Sequence, residues 1–158
     1  MILVTETVLD AAAEALGESA EAFNDAVVEL EEQQPEVLGY FFAEHFEAFT
    51  QEEREYAFYL LLVIWKAITM VVPELPTVDA EALEEAEERN WTLLQDVQTH
   101  NWHDRLDVFF QDSPQEDLLA FIEDGLTIDE EEEEPVVTKE GREALFVALK
   151  SVIDCWGR

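Results

Sequence analysis

The sequence predicts an all-α fold, a single compact bundle of seven or eight helices around a central apolar helix at about 50–72. Three observations carry that expectation. Apolar residues recur at three- and four-residue spacing almost throughout, and no alternating strand pattern persists. Helix-start residues of the Ser, Thr and Asp type precede several of the apolar stretches. Ten Phe and four Trp in 158 residues supply core material, and a chain of this size buries roughly 70% of the surface it exposes when unfolded.

The elements follow in order. A first helix is expected from Thr5 to Leu16, stopping at Gly17. Ser19 caps a second, whose inner face is Phe23, Ala26, Val27 and Leu30. Pro35 suits the first turn of a third, with Leu38, Phe41, Phe42, His45, Phe46 and Phe49 as one continuous stripe. Thr50 and Glu53 form a capping box that opens the fourth helix, which Pro73 ends. A fifth follows Asp79, with Leu83, Ala86, Leu94 and Val97 inward. Thr99 to Gln111 turns Trp102, Leu106, Phe109 and Phe110 inward. Ser113, Pro114 and Glu116 read as cap, first position and third position of a seventh helix ending near Gly125. Thr138 caps the last, with Leu145, Leu149, Val152 and Trp156 on its stripe, flanked by Phe146 and Ile153; it should pack on the third and fourth helices. No Gly/Ser linker divides the chain, so residues 1–158 read as one helical domain with an acidic loop at about 127–137.

Charge is the dominant compositional feature. Acidic residues number 39 against 8 basic ones, a formal net charge of −31. Spread evenly over a surface of about 8,000 Å², the acids would stand about 14 Å apart. Screening acts over about 8 Å at physiological salt and about 3 Å at 1 M. Clusters such as Glu81, Glu84, Glu85, Glu87 and Glu88 lie closer than that, and favour a salty medium or a cation-rich partner. Only Lys66, Lys139 and Lys150 are lysines. A lysine deficit beside a carboxylate excess points to a halophile-type cytoplasmic protein that attracts cations diffusely. Direct nucleic-acid binding is not expected, because no basic stripe is available to displace counterions from phosphates.

The run from Tyr56 to Val72 is apolar but contains Lys66 and has acids on both sides. A spanning helix wants about 20 apolar residues, so a buried core helix is expected and no membrane association. The chain begins without the positive n-region of a secretory leader, which agrees with a cytoplasmic location. The lone Cys155 reads as a small hydrophobe.

Three groups of residues are candidate sites. Asp96, His100, His103, Asp104 and Asp107 contain several four-residue spacings; on a continuous helix, imidazole and carboxylate on one face would suit zinc or iron. Against this, Asn101 can break the helix between the histidines, and their bland reading is a solvent-facing loop. His45, walled by Phe41, Phe42 and Phe49, is a candidate pocket, or else a core histidine. Asp129, Glu130, Glu131, Glu132, Glu133 and Glu134 form a candidate docking loop for a basic partner, or a solvated run. The run lacks the oxygen spacing and central glycine of an EF-hand. No Glu-x-x-His pair, HExxH, GxSxG or glycine-rich phosphate loop occurs, and no cofactor is expected. Three function classes remain open. One is a non-enzymatic interaction or regulatory protein with an unknown protein partner or a second copy of itself. Another is an acidic, nucleic-acid-mimicking or chaperone-like binder of basic proteins. The third is a metal-dependent helical enzyme using His100 and His103.

Overall fold

A computed structural model of the chain describes residues 3–128 and 136–156; the side chains of Glu44, His45 and Glu140 lie outside the description. Among the described residues the secondary structure is entirely helical. Eight α-helices run in order: α1 Glu6–Gly17, α2 Ala20–Gln33, α3 Pro35–Phe41, α4 Gln51–Val71, α5 Ala80–Gln95, α6 Trp102–Asp112, α7 Glu116–Leu126 and α8 Lys139–Trp156. No helix among them is long and apolar enough to cross a membrane.

Local side-chain chemistry starts most of these helices. Thr5, Ser19, Asp79 and Asn101 each sit in extended backbone and accept a hydrogen bond from the third amide of the following helix. Each thereby satisfies one of the orphan donors of a first turn. Thr50 and Glu53 form the complete reciprocal box at the start of α4.

The helix α4 is the centre of the bundle. Leu60 to Trp65 are six consecutive buried residues, which only a helix enclosed on all sides can show. It packs against α1, α2, α7 and α8. One contiguous buried cluster draws residues from all eight helices. Its aromatic part has three centres. Tyr40, Phe41, Phe46 and Phe49 pack edge-on or tilted, with centroids 5.1–5.5 Å apart. Phe109 stacks on Phe146 at 5.2 Å, with Trp102 edge-on to Phe146. Trp65 meets Trp156 at 5.2 Å.

Four expectations need correction. The third helix is not continuous to Phe49: α3 ends at Phe41, Ala43 is extended, and Glu44–Ala48 is a short 3-10 turn. The stripe therefore breaks at Phe42, which stands 71% exposed, whereas Phe46 is buried from the new direction. The seventh helix starts at Glu116 rather than Pro114: Gln115 stands at its N-cap position, and Ser113 Oγ accepts from the Gln115 amide. The fifth ends at Gln95, leaving Val97 beyond it. The last helix does bury its expected stripe, but it packs mainly against α5, then α7 and α4, rather than on α3. The acidic segment Asp129 to Glu134 lies outside the described residues.

Candidate functional site

The groove that emerges as the candidate site lies between the end of α3 and the first two turns of α4. Gln51, Arg54, Glu55 and Phe58 fall at the i, i+3, i+4 and i+7 positions that share one helical face. Phe41 and Phe42 close the other side, enclosing about 370 Å³. The Phe42 and Phe58 rings are tilted against each other with centroids 5.8 Å apart. The Phe42 amide closes the last turn of α3, donating to Leu38 O at 3.0 Å, while its ring stands largely in solvent. Gln51 Nε2 donates to Glu55 Oε1 at 3.0 Å. Arg54 is exposed and makes no ion pair among the described residues. Three Phe rings and an uncommitted guanidinium make a chemically distinct patch on so acidic a chain.

Of the candidate pocket residues, Phe41 and Phe42 line this groove. Phe49 instead packs on Phe46 in the core, and the His45 side chain lies outside the description. Arg54, Glu55 and Phe58 escaped the sequence reading. Their signal was an Arg inside an otherwise acidic first turn, but the partner wall comes from another helix.

The five metal candidates are not assembled. Asn101 accepts from the Asp104 amide as the N-cap of α6, so the helix is interrupted between the two histidines. Asp96 and His100 therefore lie in the connection, on no common helical face with Asp104. His103 reaches across to Glu123 of α7, whose hydrogen bond and charge hold the imidazole above its usual range. Among the described residues no three His, Cys, Asp or Glu side chains converge in a way that could hold a metal ion.

A densely bonded polar cluster joins α5, α6 and α8. Lys150 has no solvent exposure and donates to Asn90 Oδ1 and Asp112 Oδ2, both at 2.8 Å, and to Asp154 Oδ2 at 3.0 Å. Arg89 bridges the same two carboxylates at 2.8 and 3.2 Å. Asn90 also donates to Ser151 Oγ at 3.0 Å. Burial by itself would push the Asp112 carboxyl up, but the hydrogen bonds from Arg89 and Lys150 outweigh it and hold it below the usual range. Two cations face two anions, so charge is balanced and each buried ammonium donor is used. None of these residues lines the groove.

A second concavity of about 440 Å³ lies between α1, α4 and α7. Tyr56, Tyr59 and Phe121 give it aromatic walls, and Glu6, Asp10, Asp117 and Asp124 give it a carboxylate rim. Part of that rim is already engaged: Asp117 Oδ2 accepts the Glu6 amide at 2.9 Å, and the Tyr56 hydroxyl donates to Gly125 O at 2.7 Å.

Compared with protein-family models, with curated proteins and with solved structures, the chain finds no match.

Proposed function

We propose that this chain is a non-enzymatic helical interaction protein with a salt-adapted acidic surface, and that it docks its partner through the groove at α3 and α4. The observation that carries this reading is the 71% exposure of Phe42 beside Phe41, Phe58 and an unengaged Arg54. A large aromatic ring exposed at a helix end is the kind of anchor that interfaces bury at their centre. The carboxylates elsewhere keep the molecule soluble, at a cost in self-repulsion that salt screens. The test is affinity capture with wild type and with Phe42→Ser, followed by binding of the captured protein in purified form. A partner that binds wild type and loses at least about tenfold affinity for Phe42→Ser supports the reading, as expected of a central aromatic anchor. Equal binding by both proteins removes the groove from consideration.

A second reading has one observation in its favour. The concavity of α1, α4 and α7 combines carboxylates with aromatic walls, a pairing that suits Lys or Arg side chains of a basic protein. Binding of that kind declines steeply with added salt. Association that persists undiminished in molar KCl counts against it.

A further inference from the structure

We infer that the occupant of the α3–α4 groove is a second copy of this chain, docked about a two-fold axis; this deepens the interaction reading above and rests on it. The argument begins with the order of charges on the groove face. Arg54 and Glu55 are neighbours on α4, and both line the groove. In an isologous contact each patch meets itself, so the axis can set Arg54 of one copy against Glu55 of the other, twice. Gln51 already donates to Glu55 Oε1, and Oε2 faces no described donor. A basic segment would meet Arg54, and an acidic one would meet Glu55. A second copy offers a carboxylate to Arg54 and a guanidinium to Glu55 at once.

The apolar part has the same self-complementarity. Each copy offers one projecting ring, Phe42, and one recess between Phe41, Phe42 and Phe58. The ring of one copy covers the recess of the other, removing the most exposed aromatic side chain of the described residues from water on both sides. The face is small against the ~1,000 Å² that stable specific interfaces bury, so the association is weak and reversible. A charge of −31 on each copy opposes it at long range. Added salt screens that repulsion while sparing a close, partly covered ion pair. Self-association therefore rises with salt, opposite to a complex held by net attraction.

Sedimentation equilibrium on the full chain tests this at low salt and at about 1 M KCl, where the screening length is about 3 Å. Wild type, Phe42→Ser, Arg54→Glu, Glu55→Arg and the double exchange Arg54→Glu/Glu55→Arg are compared. The expected result is dimerisation of wild type that strengthens with KCl and weakens at least about tenfold in each single variant. The double exchange restores it, because the two-fold pairs re-form with reversed sign. Phe42, Arg54 and Glu55 are exposed and lie outside the buried core, and circular dichroism verifies that each variant is folded. A monomer under all conditions overturns the inference. So does a dimer indifferent to Phe42→Ser, or a double exchange that fails to recover. A different protein captured through Phe42 would keep the groove as a docking site and overturn the second copy as its occupant.

Discussion

Lys150 shows how a polar side chain is accommodated with no solvent exposure. Its ammonium is held by Asn90, Asp112 and Asp154, and Arg89 shares the two carboxylates. Removing it leaves carboxylates of the α6–α8 contact short of a counter-charge, so Lys150→Met should destabilise the fold by about 3–5 kcal/mol in chemical denaturation at neutral pH. The same cluster sets an acid limit. Because the folded state holds the Asp112 carboxyl below its unfolded value of about 3.9, its contribution is complete above that pH and is lost as pH falls through the folded value. In Lys150→Met the acid-induced part of the loss should be shallower. Core aromatics act differently. Trp65 and Phe46 are 1% and 2% exposed, and truncating either to Ala should cost about 3–5 kcal/mol. Losses under about 1 kcal/mol at both would displace α4 from the centre of the bundle.

At the scale of elements, Glu53 ties two helix starts together. Its Oε1 accepts the Thr50 amide at the start of α4, and its Oε2 accepts both the amide and hydroxyl of Thr138 at the start of α8, each at 3.0 Å. One buried carboxylate thus sits at the positive ends of two helices. Gly141, in the first turn of α8, leaves room for it, since a Cβ there would run into Glu53 Oε2. Glu53→Ala should cost about 2–4 kcal/mol, because donors at both helix starts lose their acceptor. Gly141→Ala should also destabilise, in spite of alanine's better helix propensity. Thermal unfolding of both variants checks this, and a stabilised Gly141→Ala would mean that Glu53 is free to move away. The capping box at Thr50 was legible because it is written in adjacent residues. Its second role was not, because Thr138 lies 85 positions away.

Across the whole molecule, the few cations are concentrated at one seam. Arg89, Arg105 and Lys150 form ion pairs among α5, α6 and α8, and Arg142 lies 4.5 Å from the centroid of the Trp102 ring. Much of the remaining surface is left with little but carboxylate. Such a molecule should resist unfolding better in 3 M than in 0.1 M KCl, as screening relieves its self-repulsion. Denaturation midpoints measured at the two concentrations check this; a fold indifferent to salt would contradict the salt-adapted reading.

What the residues alone determined was helical: periodic apolar spacing, caps at Ser19 and Thr50, a helix following Asp79, and the burial of Leu145, Leu149 and Trp156. These are local signals, carried within one or two turns. Only the tertiary structure decided which polar groups enter the interior, because burying Lys150 requires acceptors from three helices at once. It also decided that the Phe stripe breaks at Phe42, since a chain turning to pack α4 against α1 cannot keep one helical face inward through residue 49. The groove lies at that break: each wall is a short run on its own helix, but only the packing of the two segments brings them face to face.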